Sequence, residues 1–411
     1  MCDDLKAIAS LGNRCCGCGA CAAVCPKGCI SMVPDVWGFP RSRVDSSACV
    51  GCGRCASACP ALSDSRPDEV SSVSWAKSGD GDELKRSSSG GVFGLLAADV
   101  LASGGVVAGA AWDPGFRSVS HRLIDDISCL DAVMRSKYVQ SSVPADVYRG
   151  VRDALWRGRR ALFSGTACQV AGLRGYLGPL AGSDLLLAVD VVCHGVPAPA
   201  LWSRWIAYRE AAVGAPLRGV NMRSKATGWP SYSILYKFGA GEDGRPTTES
   251  SVFRDDWYMR AFLANACLRP CCFSCPAKRS CGSDVTIGDF WGVQSAHPEV
   301  DSGSGVSAVI CNTRKGEAAL AAVSGALDSG PSTYDSVLAG NPSLAAPASP
   351  YVRYDEFMAS VAAGVPIEEL IARWGFEPPL GRSLVSRLKG AVGRLLCLIA
   401  SALRGLSAAI I

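Results

Sequence analysis

The residues with the clearest chemistry are cysteines: the 411-residue chain holds 21 of them against three histidines. Two runs repeat one spacing. Cys15, Cys18, Cys21 and Cys25-Pro26 form a C-x2-C-x2-C-x3-C-P run, and Cys49, Cys52, Cys55 and Cys59-Pro60 form a second. In such a run three thiolates wrap one iron–sulfur cube, and the fourth, ahead of proline, reaches the neighbouring cube. Cys15, Cys18, Cys21 and Cys59 would then hold one [4Fe–4S] cluster, and Cys49, Cys52, Cys55 and Cys25 the other. The competing zinc reading uses pairs of C-x2-C, not this repeated triple. Cys16 and Cys29 fall outside the spacing and read as small buried fillers.

Three further features carry chemistry. Ser87 to Gly91 precedes a helical run, where serines can cap the helix and glycines can turn backbone N–H groups toward a phosphate. An ordinary helix cap is the plainer reading. Cys168 and Cys193 each follow a short apolar run with strand character, and ligands of open α/β sheets collect at such strand ends. Cys267, Cys271, Cys272, Cys275 and Cys281 crowd into one short stretch, which favours a metal site without choosing iron–sulfur over zinc.

The elements that must position these residues are legible as alternation. Helical patterns are expected at Val92 to Ala102, Asp125 to Arg135, Val147 to Arg157, Val170 to Leu177 and Ala200 to Ala211. Strands are expected at Gly105 to Trp112, Ala161 to Ser164, Leu185 to Val192, Ser231 to Phe238, Val285 to Ile287 and Val306 to Cys311. This predicts an α/β domain with a mixed, largely parallel sheet, preceded by a small α+β domain of the bacterial 2[4Fe–4S] ferredoxin type. The expected divisions are residues 1–64 for the ferredoxin-type domain, 65–86 for a polar linker and 87–345 for the α/β domain. A helical extension (346–381) and a basic amphipathic helix (382–411) follow.

Six motifs in order carry a resemblance. They are Ser89-Gly90-Gly91-Val92-Phe93, Ser136-Lys137-Tyr138-Val139-Gln140-Ser141, Gly165-Thr166-Ala167-Cys168-Gln169, Cys193-His194-Gly195-Val196-Pro197, Leu268-Arg269-Pro270 with Cys272-x2-Cys275, and Ser283-Asp284 to Asp289-Phe290-Trp291-Gly292. With them the chain, from the ferredoxin repeat to about residue 375, resembles the beta-subunit family of coenzyme F420 hydrogenases and dehydrogenases. The resemblance implies an FAD-containing oxidoreductase domain with its own [4Fe–4S] cluster on Cys168, Cys193, Cys272 and Cys275. Cys271 stands where relatives usually have serine, leaving Cys267, Cys271 and Cys281 as alternatives to Cys272. FAD is expected between the Ser89-Gly90-Gly91 helix start and the Lys137 to Ser141 segment, with Gln140, Gly165, Thr166 and Gln169 contributing. Lys137 suits a pyrophosphate or the flavin N1 edge, and His194 a proton transfer. Arg223, Lys225 and Trp229 suit either an anionic substrate or simple packing.

The implied reaction passes electrons from a ferredoxin-like or other redox partner protein, through the clusters, to FAD and an organic small-molecule substrate, of which coenzyme F420 is one candidate. Two other readings remain: a non-catalytic electron-transfer subunit of a larger complex, and a membrane-associated accessory protein of a cell-envelope pathway. A formal net charge of +4 does not suggest a nucleic-acid binder. Met1 to Asn13 lacks a signal-peptide pattern, and no clean apolar span of membrane length occurs. The expected location is therefore the cytoplasm. The basic tail is the part suited to peripheral contact with the inner face of a membrane.

Overall fold

In the computed structural model, which describes residues 7–63, 67–241 and 244–376, each cysteine run starts a short helix. These helices, Ala20–Val24 and Arg54–Ser57, both begin after a left-handed glycine and carry the third cysteine of their run. Between the runs lies a hairpin of β1 (Ile30–Pro34) and β2 (Pro40–Val44), paired antiparallel with Ile30 opposite Val44. The repeat in sequence is thus a repeat in structure.

The larger unit is built on a nine-stranded sheet. Its strands are β3 (Ser72–Ser78), β4 (Val106–Trp112), β5 (Val119–Ile124), β6 (Ser141–Ser142), β7 (Ala161–Thr166) and β8 (Leu186–Val191), with β12 (Val285–Asp289), β13 (Ser307–Cys311) and β14 (Leu327–Pro331). The spatial order is β14-β3-β13-β12-β8-β7-β4-β5-β6. The central four, β12, β8, β7 and β4, run parallel, and most of the flanking pairs are antiparallel. The sheet is therefore mixed, with its parallel part at the centre.

The residues explain why that centre is parallel. Parallel strands are covered on both faces and read as continuous apolar runs. Along β7, Ala161 and Phe163 face the helices Ala145–Trp156 and Ala167–Leu177, while Leu162 faces Val92–Ala102. Along β8, Leu186 and Ala188 face the first side, and Leu187 and Val189 the second. The helix Ala145–Trp156 buries Val147, Tyr148, Val151, Ala154 and Leu155, one stripe at helical spacing. Truncating a core ring such as Phe163 to alanine should cost about 3–5 kcal/mol.

A second sheet, β11-β10-β9, is antiparallel and comprises β9 (Leu217–Ser224), β10 (Ser233–Ala240) and β11 (Pro246–Val252). The helices Tyr354–Ala362 and Ile367–Arg373 join its core through Phe357, Val361 and Leu370, and Trp374, just after the second helix, joins it too. Among the described residues no helix is long and apolar enough to cross a membrane. The expected basic helix at 382–411 lies outside the described residues.

Two expectations need correction. Residues 65–86 are not all linker, because Ser72–Ser78 is a strand of the main sheet and Gly81–Arg86 a helix capped by the Asp80 side chain. The alternation around Val73 and Trp75 is short and serine-flanked. Its pairing partners, β13 and β14, come from far along the chain. Asp125 to Arg135 is not one helix: a 3-10 turn at Ile127–Cys129 leads into only Leu130–Val133, and Arg135 follows with φ 69°.

Candidate metal centres

The first ligand set is sorted by burial. Cys15, Cys18, Cys21 and Cys59 are buried, Cys25, Cys49 and Cys55 are half-buried, and Cys52 is exposed. Burial, with Cys15 and Cys59 alongside, pushes the Cys21 thiol up to about 12. Burial raises Cys55 too, with Cys25 and Cys52 adding to it. The fourth cysteine of each run thus lies beside the other run's triple. Cys29 joins the outer group, its Sγ 3.4 Å from that of Cys25.

Local backbone suits a cluster here. The Gly51 N–H points at Cys49 Sγ at 3.4 Å, the kind of donor that stabilises a thiolate-held cube. Gly17 has φ 72°, and a Cβ there would sit 2.8 Å from both Arg269 Nη1 and the Pro40 carbonyl. Only glycine allows the first loop to lie this close to Arg269.

A further cavity opens at the carboxyl ends of β7 and β8. Cys168, Cys193, Cys272 and Cys275 all line it, together with Cys16 and Cys271. Cys168 sits in the first turn of the helix Ala167–Leu177, whose start is fixed by a capping box between Thr166 and Gln169. Cys193 follows β8, Cys272 lies in the 3-10 turn Pro270–Ser274, and Cys275 ends that turn. The neighbouring Cys16 thiol and burial drive the Cys168 thiol well up. Burial raises Cys193 to about 12 and Cys275 to about 11. Bound metal reverses this tendency, since a coordinated thiol is deprotonated outright. Lys278 lines the same cavity and donates to the Cys193 carbonyl, placing a cation beside the thiols.

Among the described residues no group of three or more His, Cys, Asp or Glu side chains gathers around a single ion. A cube asks for something else, four thiolates spread over separate iron corners. Cys267 is instead buried in the core beside Tyr258, and the Cys281 N–H is held by Asp68 at 3.1 Å.

The expected flavin residues are partly brought together. Ser88 Oγ accepts from the Ser136 N–H at 2.9 Å, so the glycine-rich helix start and the Lys137 segment are adjacent. Most of their polar atoms, however, are engaged by protein. Ser89 Oγ donates to the Val306 carbonyl, and the Gly90 N–H to Ser307 Oγ. A Cβ on Gly90 would collide with the Ala76 carbonyl, so this glycine serves strand contact. Gln169 donates to Ser141 and accepts from Thr166, and Gly165 lies against that amide. Gln140 binds the Cys16 carbonyl. Among the described residues Lys137 Nζ donates to the carbonyls of Met134 and Arg135, and burial pulls it down to about 7.

His194 lies elsewhere, on the cysteine-lined cavity. Asn265 donates its amide to the Ser349 carbonyl, so its Oδ1 must accept from His194 Nε2, at 2.8 Å. Burial lowers the His194 pKa, favouring the neutral ring. Trp229 stacks on Trp291, Lys225 Nζ donates to three carbonyls, and Arg223 pairs with Asp289 at 2.9 Å. This is the packing alternative for that loop.

Sequence reasoning gave Arg269 no role, although it lies in a quoted motif. It is fully buried and donates to the carbonyls of Cys15 and Pro40 and to Gln140 Oε1. Asp190 was also missed. It is pushed up to about 6 by burial on the cavity floor, and accepts from Ser283 and Thr286.

Two ligand loops of the ferredoxin type, joined to an α/β domain with its own cysteine-lined cavity, define an iron–sulfur electron-transfer protein. Residues 14–62 match the family described as 4Fe-4S dicluster domain. Residues 158–331 match the family described as the C terminus of the coenzyme F420 hydrogenase/dehydrogenase beta subunit. The chain therefore joins a 4Fe-4S dicluster domain to a C-terminal domain of that beta-subunit family. Among solved structures it is similar to a chain of the xenon-derivatized F420-reducing [NiFe] hydrogenase complex from Methanosarcina barkeri. The identity is 15% and the TM-score 0.42, over 75% of this chain and 94% of that one. No curated protein matches the chain.

Proposed function

We propose that the chain is an oxidoreductase module with three [4Fe–4S] sites. Two are held by the ferredoxin loops, and the third by Cys168, Cys193, Cys272 and Cys275. The observation that carries this is the convergence of these four residues, from three separate segments, on one cavity at the ends of parallel strands. Cys272 is preferred to Cys271 because Cys272-x2-Cys275 repeats the spacing of both ferredoxin loops. Lys278 and the helix start bearing Cys168 suit a negatively charged group. The module exchanges single electrons with a ferredoxin-like partner protein.

A flavin is the second part of the reading. One observation favours it: the Lys137 amine is buried beside the Ser88 to Gly91 turn, and its partners among the described residues are backbone carbonyls, with no carboxylate paired to it. When bound, FAD would supply conversion between one-electron and two-electron chemistry, as reduction of coenzyme F420 or another organic substrate requires. Since Ser89, Gly90, Gln140, Ser141 and Gln169 are engaged by protein, no step is assigned to them. Acid release of flavin and sulfide from anaerobically purified protein tests both parts. About twelve sulfides and one flavin per chain are expected. About eight sulfides with no flavin would leave only the ferredoxin part.

A further inference from the structure

Cys16 belongs to neither ligand run, yet its side chain lines the third cavity beside Cys168 and Cys271. Its thiol also interacts with that of Cys18, a ligand of the inner ferredoxin site. Cys16 thus stands between a thiol of one candidate cluster and a thiol of another. Its position is fixed from three sides. Gln140 Nε2 donates to the Cys16 carbonyl at 2.9 Å, Arg269 Nε to the Cys15 carbonyl at 2.8 Å, and Tyr148 Oη to the Cys18 carbonyl at 2.7 Å. The helix that carries Cys168 presses on the same loop, since a Cβ on Gly172 would lie 2.9 Å from Cys18 Sγ.

Among the described residues the outer ferredoxin site has no such neighbour. Cys25, Cys49, Cys52 and Cys55 line a separate hollow with Cys29 and Val50, and Cys52 and Val50 are exposed.

Resting on the three-site reading above, we propose that Cys16 and its flanking peptides form the junction between the inner ferredoxin site and the third site. The outer site, held by Cys25, Cys49, Cys52 and Cys55, is then the one that meets the one-electron partner. The order is outer, inner, third. Passage across the junction moves one electron from a reduced cube to an oxidised one; no bond forms or breaks and no proton is carried. A thiol beside cluster sulfur also tunes potential, because hydrogen bonds to the sulfurs are among its determinants.

The test uses full-length protein purified anaerobically, with each site's potential followed by EPR-monitored redox titration. Single-site variants Cys52→Ser and Cys168→Ser assign the signals to the outer and third sites. Cys16→Ala should keep about twelve irons per chain. It should shift the potentials of the inner and third sites and leave the outer one in place. In fully reduced protein, Cys168→Ser should remove a magnetic splitting from the inner-site signal, and Cys52→Ser should leave the third-site signal split. A splitting between the outer and third sites, or a Cys16→Ala shift confined to the outer site, would overturn the order. A fall to about eight irons in Cys16→Ala would make Cys16 a ligand and equally overturn its role as junction. Wild-type protein with about eight irons would instead defeat the three-site reading itself.

Discussion

Arg269 donates through Nε to the carbonyl of Cys15 at 2.8 Å, tying the start of the Pro270–Ser274 turn of the large domain to the first cysteine loop of the ferredoxin unit. Its other nitrogens reach Gln140 Oε1 and the Pro40 carbonyl. Replacing it with methionine leaves two buried acceptors, and the half-buried Pro40 carbonyl, without their donor. Buried orphaned polar groups cost about 1–3 kcal/mol each, so Arg269→Met should destabilise the protein by at least about 2 kcal/mol. Thermal unfolding of the holoprotein checks this. Limited proteolysis should show earlier cleavage in the first sixty residues. A midpoint equal to that of wild type would show that the guanidinium does not hold the two parts together.

The proposed third site gives the adjacent thiols of Cys271 and Cys272 different roles. Cys272→Ser should lose about four irons per chain, while Cys271→Ser should keep the full complement. Colorimetric iron on the two variants, purified side by side, decides between them. The reverse result would move the fourth ligand to Cys271, which is buried and also lines the cavity.

Cys29 lies within 3.4 Å of Cys25 and shares its hollow, so it can take over that corner of the outer cube. Cys25→Ala should retain its iron, and the double variant Cys25→Ala/Cys29→Ala should lose about four atoms. Loss in the single variant would show that Cys29 cannot reach the iron.

These cases mark where the sequence was legible. The ferredoxin repeat could be read because each triple of cysteines is spaced within one local loop, and residues 14–62 match a 4Fe-4S dicluster domain. The strands β7 and β8 could be read because both their faces are apolar. Cys16 and Arg269 could not. Their partners, Cys168 and Cys15, lie far away in the chain, and no local pattern encodes the docking of one domain on the other. Cys29 looked like filler for the same reason, since its closeness to Cys25 depends on the turn between them. The β3 strand was hidden because its partners come from late segments. Gln140 and Gln169 matched a motif, but their amides hold backbone and a helix cap.

Acid should expose a buried histidine. His121 stacks on Phe163, bonds the Ser164 carbonyl at 2.9 Å, and is held down to about 4 by burial. Unfolded histidine titrates near 6.5. Between those values the unfolded chain binds the proton and the folded one does not. The stability contribution is therefore complete above about 6.5 and is lost as pH falls toward 4. From pH 7 to 5 wild type should lose about 2 kcal/mol more than His121→Asn. Denaturant midpoints across that range provide the check, and parallel curves for the two proteins would rule the mechanism out.

The central claim is a third four-iron site in the large domain, and iron per chain tests it most directly. Wild-type protein purified without oxygen should carry about twelve irons, and Cys168→Ser about eight, with both ferredoxin clusters retained. About eight irons in both proteins would contradict the account, leaving the cysteine-lined cavity without a cluster.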